Sequence, residues 1–77
     1  MYEQIKELLI VSFQVPADRV APEASLEDLE FDSLELVELS LALEEKFGVQ
    51  LRDEELVELW RVGAIVEAVT ARGAKVA

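Results

Sequence analysis

The sequence predicts an all-α protein, a small four-helix bundle with three main helices and a short third helix. Apolar residues recur at intervals of three and four in four separate segments, and no segment shows the convincing pattern of a strand. Of the 77 residues, 52% are hydrophobic, which is too many for a disordered acidic chain. We therefore expect residues 1–77 to form one small domain.

The first helix is predicted over about residues 2 to 13. Its apolar residues follow the spacing of a half-buried helix: Ile5, Leu8, Leu9 and Phe13. Pro16 disfavours helical backbone at the preceding residue and so ends this helix. A loop of roughly 15 to 18 residues follows. Within it Ser25 and Asp28 are spaced to cap a short turn, with Leu26 and Leu29 packing inward.

The second helix is predicted over about residues 33 to 47. At about 100° per residue, four large apolar side chains form a stripe that should face the core: Leu36, Leu39, Leu43 and Phe47. The opposite side mixes acids with aliphatics: Leu34, Val37, Glu38, Leu41, Glu44 and Glu45. An ordinary solvated face is one interpretation, because scattered surface apolar residues are common. The pattern favours a docking surface with an apolar centre and a charged rim.

Two shorter helices complete the bundle. Gly48 supplies a natural end for the second helix. Asp53 can cap a short third helix that runs to about Leu59, with three core candidates: Leu51, Leu56 and Leu59. A last helix is predicted over about residues 63 to 72, where Gly73 can close it. Its apolar spacing is given by Val62, Ile65, Val66 and Val69.

The amino-acid inventory excludes several classes of chemistry. The chain has no cysteine and no histidine, which removes disulfides, the usual zinc ligands and the usual general base. We predict no catalytic residue and no metal site. The net charge of -10, from 17 acids against 7 bases, opposes binding to nucleic acid or to anionic membranes. A partner should therefore be basic where it docks.

The start of the chain does not look like a targeting segment. Glu3 precedes the first apolar residues, and the apolar run LLIV at residues 8–11 is far shorter than the roughly 20 residues that span a bilayer. We expect a cytoplasmic monomer.

Ser33 stands just where the second helix begins. A serine at this place is most often an N-cap. The reciprocal capping pattern needs an acid or amide three residues later, and Asp32 has Glu35 there whereas Ser33 has Leu36. Asp32 is therefore the better cap, and Ser33 becomes an accessible first helical residue. Activation of Ser33 as a nucleophile would need a base within hydrogen-bond reach, and the sequence offers only carboxylates, or lysines with no evident reason for a lowered pKa. We therefore expect Ser33 to be modified by another enzyme rather than to act as a catalytic nucleophile.

The stretch ASLEDLEFDSLELVELSLALEEKFGVQL, residues 24–51, resembles the loop end, modification site and second helix of acyl carrier proteins of fatty-acid or type II polyketide synthesis. The segment VGAIVEAV, residues 62–69, is similar to the last helix of that family. The tripeptide DSL alone is common by chance. Its place about 33 residues into a small acidic helical chain makes the resemblance specific. The resemblance covers essentially the whole length of the chain.

The resemblance implies that Ser33 carries a 4′-phosphopantetheine arm, donated from coenzyme A by a phosphopantetheinyl transferase, whose thiol holds acyl groups as thioesters. Asp32 and Leu34 match the neighbours of the modification site. Partner enzymes such as ketosynthases and acyltransferases would bring basic patches to the following residues: Glu35, Val37, Glu38, Leu41, Glu44, Glu45, Leu51, Asp53 and Glu54.

Exposing an acyl chain to water costs roughly 0.8 kcal/mol per methylene. A bundle that opens between aliphatic walls would shelter the chain from water. The walls we predict are Leu29, Leu39, Leu43, Phe47, Leu59, Val62 and Val66. A plain closed core fits the same pattern.

Two positions depart from the family pattern. Glu30 stands where the family commonly has a glycine two residues before the aspartate of the site, which predicts a stiffer loop in which Phe31 packs over the base of the arm. Trp60 is either a core anchor or an additional partner contact. Fatty-acid and polyketide carriers stay open as alternatives, as does a stand-alone peptidyl or aryl carrier. An unmodified acidic interaction module is the alternative from another class.

Overall fold

The computed structural model describes residues 1–73, which form four α-helices and one 3₁₀ turn. The helices are α1 (Tyr2–Phe13), α2 (Ser33–Phe47), α3 (Asp53–Leu59) and α4 (Val62–Ala71), and the 3₁₀ turn is Ala17–Arg19. Helix α2 packs against α3, and α4 packs against both α1 and α3. This arrangement confirms the predicted small all-α bundle.

The helix faces predicted from spacing are the faces that form the core. The α2 stripe is buried in full, with Leu43 0% exposed and Leu39 1% exposed. Other predicted core residues are also buried: Ile5, Leu8, Leu9, Leu26, Leu29, Leu51, Leu56, Val62, Ile65 and Val69. Phe13, Leu59 and Val66 are half-buried and pack against this core. Burial of large aliphatic side chains is therefore what holds the four helices together.

The long connection between α1 and α2 is organised by local hydrogen bonds. Helix α1 ends at the predicted residue, where Gln14 adopts a left-handed conformation with φ 57° and the Val15 N–H donates to the Leu9 carbonyl at 3.1 Å. Further along, Ser25 and Asp28 bond reciprocally. The Ser25 N–H donates to the Asp28 carboxylate and the Asp28 N–H donates to Ser25 Oγ, both at 3.0 Å. The predicted capped turn is confirmed.

The bonds from Ser25 also change the acidity of Asp28. Donation by the Ser25 backbone N–H, followed by that of its hydroxyl, lowers the pKa of the Asp28 carboxyl below its ordinary value. The positive charge of Arg61 acts in the same direction. The ionised form of Asp28 is therefore favoured by the folded turn.

The start of α3 differs from the prediction. Asp53 is the first helical residue and Arg52 is the N-cap. The Glu55 carboxylate accepts from the Arg52 N–H at 3.4 Å and is also paired with Arg72. Both contacts lower the pKa of Glu55, the Arg52 backbone bond most of all. Because Glu55 lies three residues after Arg52 and bonds to its N–H, Arg52 rather than Asp53 is the N-cap of α3. Asp53 lies in the first turn, where the helix dipole favours an anion.

Helix α4 runs from Val62 to Ala71, one residue earlier at each end than predicted. A short antiparallel clasp, in which residues 22–26 bond to residues 60–63, joins the loop to the start of this helix. The Leu26 N–H donates to the Trp60 carbonyl and the Val62 N–H to the Ala24 carbonyl, both at 2.9 Å. The Gly63 N–H donates to the Pro22 carbonyl at 2.8 Å. The clasp attaches the α3–α4 junction to the loop that leads toward Ser33.

Trp60 occupies a strained turn inside this clasp. Its backbone has φ 63° and ψ -40°, and the Arg61 N–H donates to the Leu59 carbonyl at 2.7 Å, which closes a γ-turn of the rare positive-φ kind. The side chain is half-buried and packs against the core. A bulky residue in this conformation persists only where surrounding contacts hold it. Within residues 1–73, no helix has the length and apolar character needed to cross a bilayer.

Candidate functional site

Ser33 is the first residue of α2 and is exposed. The preceding residue caps the helix, since Asp32 Oδ1 accepts from the Glu35 N–H at 2.9 Å. This confirms the cap predicted from the spacing of the two acids. The cap is supplied by a neighbour, so the hydroxyl of Ser33 is not needed for that role, and the residue is exposed.

The position of Ser33 also suits an anionic modification. Amide N–H groups at a helix N-terminus carry partial positive charge, which favours a phosphate diester attached to the first residue. Asp32 and Glu35 lie beside it and oppose this effect in part. A serine ester of 4′-phosphopantetheine therefore fits the residues present, by virtue of an exposed hydroxyl and the N-terminus of a 15-residue helix.

The outer face of α2 presents the mixed surface that the helical spacing predicts. Three large aliphatic side chains of this face are exposed: Leu34 at 66%, Val37 at 43% and Leu41 at 62%. Around them lie the acids Glu38, Glu44 and Glu45, which are exposed, and Glu35, which is half-buried. We call these seven residues the α2 surface. It begins next to Ser33 and combines apolar area with negative charge.

Helix α3 adds a second exposed patch with one correction. Asp53 and Glu54 are exposed, as a role in partner contact requires. Leu51 is 1% exposed, and its carbonyl accepts a hydrogen bond from the Ser40 hydroxyl. Its side chain belongs to the core, so the assignment of Leu51 to partner contact is wrong for this conformation. The residue lies in the connection between α2 and α3, and its side chain is part of the hydrophobic core.

Val57 is a surface residue that the sequence analysis missed. It is 48% exposed and lies on α3, four residues after Asp53 and three after Glu54. This spacing places it on the same helix face as those two acids. The signal was therefore present in the sequence. Val57 gives the α3 patch an apolar residue between acids, as Leu41 does on α2.

The residues predicted to shelter an acyl chain lie in or against one core. Leu29, Leu39, Leu43, Phe47 and Val62 are buried, whereas Leu59 and Val66 are half-buried at the edge. In this conformation the five buried residues pack as an ordinary core. Shelter for a chain between them would require the helices to separate.

The two departures from the family pattern also have structural positions. Glu30 adopts a left-handed backbone with φ 60°, the conformation that a glycine at this place would adopt without cost. Trp60 packs against the core, in agreement with a role as an anchor. Phe31 is half-buried and its ring packs against that of Phe13. Its packing over the base of the arm stays a prediction.

Comparison with known proteins shows the family to which the chain is similar. The family model described as "Phosphopantetheine attachment site" matches residues 3–69. The chain is 43% identical over 68 residues to an acyl carrier protein of Helicobacter pylori strain G27, which covers 87% of each chain. It is also 43% identical over 60 residues to an acyl carrier protein of Petrotoga mobilis, over 77% of this chain and 71% of that one.

These matches extend across all four helices and include the segment that contains Ser33. The relatives are named as carriers, and the matching family is defined by a covalent cofactor rather than by a catalytic group. The chain therefore belongs to the acyl carrier proteins, non-catalytic proteins that bear covalently attached 4′-phosphopantetheine.

Proposed function

We propose that Ser33 carries the 4′-phosphopantetheine arm and that the chain shuttles acyl groups between enzymes of fatty-acid or polyketide biosynthesis. The observation that supports this most directly is that Asp32 caps α2, which leaves the exposed Ser33 without a capping role. The arm supplies a terminal thiol that holds acyl groups as thioesters. The cytoplasmic location and the monomeric state that the sequence predicts are part of this proposal.

The α2 surface is the proposed docking site for the phosphopantetheinyl transferase, for ketosynthases and acyltransferases, and for other synthase enzymes with basic docking patches. Its position next to Ser33 means that an enzyme bound there has its active site near the modified residue. Negative charge on the carrier attracts a basic patch over a long range and speeds encounter without tight binding. The exposed aliphatics Leu34, Val37 and Leu41 then supply apolar contact. Asp53, Glu54 and Val57 extend this surface onto α3.

Intact mass spectrometry tests the attachment site. The purified protein is incubated with coenzyme A and a phosphopantetheinyl transferase of broad specificity, alongside Ser33→Ala and the control Ser12→Ala, which removes an exposed serine of α1. We expect the parent and Ser12→Ala to gain one phosphopantetheine and Ser33→Ala to gain none. A gain by Ser33→Ala, or no gain by the parent beside an active transferase control, would contradict the proposal.

We further propose that the acyl chain is sheltered between the walls predicted above, with Leu59 and Val66 at the edge where the core opens. A ligand that binds only the folded state raises its stability. The carrier loaded with an eight-carbon acyl chain should therefore unfold at a higher temperature than the carrier with the bare arm. Equal unfolding temperatures would show that the chain stays in solvent.

A further inference from the structure

Residues 30–32, which lead into Ser33 at the start of α2, begin with an uncommon backbone conformation. Glu30 has φ 60°, a conformation that is uncommon for a residue with a side chain. Its N–H donates to the Glu27 carbonyl at 2.9 Å, and the next N–H, that of Phe31, donates to the Leu26 carbonyl at 3.0 Å. Residues 30–32 therefore leave a tight turn in a fixed direction before α2 begins.

A salt bridge contributes little to holding this turn. Arg19 Nη1 lies 2.9 Å from Glu30 Oε2, but the two side chains are 53% and 79% exposed. Pairs with this exposure are weakened by solvent and contribute little to stability. Besides the two backbone hydrogen bonds, the direction of the segment therefore depends on a contact that is better shielded from solvent than this salt bridge.

The shielded contact is an aromatic pair. The ring centroids of Phe31 and Phe13 lie 5.3 Å apart, with the ring planes inclined at 40°. Both side chains are half-buried and pack against the core. Phe13 is the last residue of α1, and Phe31 lies two residues before Ser33. The pair thus connects the end of one helix to the residues that present the modified serine.

We infer that Phe13 and Phe31 are positioning residues for the modification of Ser33, an inference that rests on the proposed attachment site. The pair restricts the directions in which residues 30–32 approach α2, and so keeps the Ser33 hydroxyl in one orientation when a transferase is bound to the α2 surface. Removing either ring releases the segment. Fewer encounters then have the hydroxyl aligned with the coenzyme A phosphorus that it must attack. In that step a bond forms from Ser33 Oγ to this phosphorus, the diphosphate bond breaks, adenosine 3′,5′-bisphosphate leaves, and the hydroxyl proton passes to a base on the transferase.

The test is transferase kinetics on Phe31→Ala, Phe13→Ala and the double variant, at a temperature where circular dichroism shows each to be folded. Val11→Ala is the control, because Val11 lies on α1 and is 69% exposed. We expect kcat to fall about three- to tenfold in each single variant. The KM for the carrier should stay near that of the parent, since the α2 surface is unchanged. The double variant should lose little more than either single variant, because one contact is removed in all three.

Conservative variants separate a positioning effect from a loss of stability. Phe31→Tyr keeps the ring and should retain most of the parent kcat, whereas Phe31→Leu keeps apolar bulk without the ring pair and should not. Phe13→Leu replaces Phe13→Ala if the latter is unfolded. A parent-like kcat for Phe31→Ala, a rise in KM alone, or effects that multiply in the double variant would overturn the inference. A parent that is never modified would instead overturn the proposed attachment site.

Discussion

Replacing Gly63 with alanine tests how tightly the clasp attaches α4 to the loop. A Cβ at this position would lie 2.9 Å from the Pro22 carbonyl oxygen, about 0.5 Å closer than ordinary van der Waals contact. The obstacle is backbone, so a side-chain rotation cannot relieve it. The Gly63 N–H donates to the same oxygen at 2.8 Å, and moving Pro22 away would weaken that bond.

The expected cost follows from two opposing effects. Placing a methyl group where there is no room costs about 1 to 3 kcal/mol, and weakening a hydrogen bond adds up to about 1 kcal/mol. Alanine gains about 0.5 to 1 kcal/mol over glycine within a helix. We therefore expect Gly63→Ala to lower the free energy of unfolding by about 1 to 3 kcal/mol.

Urea denaturation followed by far-UV circular dichroism measures this change. Gly48 provides the comparison, because it has φ 68° and nothing lies within 4 Å of an added Cβ. Gly48→Ala should be unfavourable through backbone conformation alone, and Gly48→Asn should recover part of the loss since asparagine tolerates this conformation. No such recovery is expected for Gly63→Asn. If Gly63→Ala were as stable as the parent or more stable, the steric account of the clasp would be wrong.

Three further predictions concern the core, the α2 surface and the capped turn. Leu43→Ala should lower the free energy of unfolding by about 2 to 5 kcal/mol, because Leu43 is 0% exposed. The double charge reversal of Glu38 and Glu45 to lysine should slow transferase modification about three- to tenfold at low salt while helicity is retained. Asp28→Asn should be less stable than the parent at pH 7. Since folding lowers the pKa of Asp28, this contribution is present above the unfolded pKa of about 3.9, and the difference should shrink as the pH falls below it.

Each of these predictions has a matched control. Leu41→Ala removes an exposed side chain from the same helix as Leu43 and should change stability by less than about 0.5 kcal/mol; a similar loss for both would remove Leu43 from the core. Replacing Glu3 on α1 and Glu67 on α4 with lysine changes the net charge of the protein by the same amount as the double variant on α2. If this control slowed modification equally, the effect would come from net charge rather than from the α2 surface. For Asp28→Asn, a difference from the parent that stays constant from pH 7 to pH 3 would contradict the proposed linkage.

The elements whose physics is local were predictable from the order of the residues alone. The spacing of Leu36, Leu39, Leu43 and Phe47 defines the buried face of α2, because helical geometry brings such residues to one side whatever the rest of the chain does. The same holds for the cap by Asp32, because its carboxylate needs only the backbone N–H of the residue three positions later. The exposed face of α2 follows as the complement of the buried one, and this is why the candidate docking residues there were predictable.

The start of α3 was less predictable, because two nearby acids, Asp53 and Glu55, are each able to bond to a free N–H group at this end of the helix. Asp53 resembles a cap in isolation, but the Glu55 carboxylate bonds the Arg52 N–H and is held in place by Arg72 from beyond α4. Leu51 was predicted both as a core residue and as a partner contact. Only the packing of the α2–α3 connection decided between these two roles.

The contacts that join distant segments could be seen only in the folded chain. The Phe13–Phe31 pair, the clasp between residues 22–26 and 60–63, and the positive φ of Glu30 and Trp60 have no periodic signal. Side chains and carbonyls brought together across the fold stabilise these strained or irregular conformations, which local preference opposes. Helical spacing therefore predicts which face of α2 is exposed, whereas long-range packing determines the backbone path that leads to Ser33.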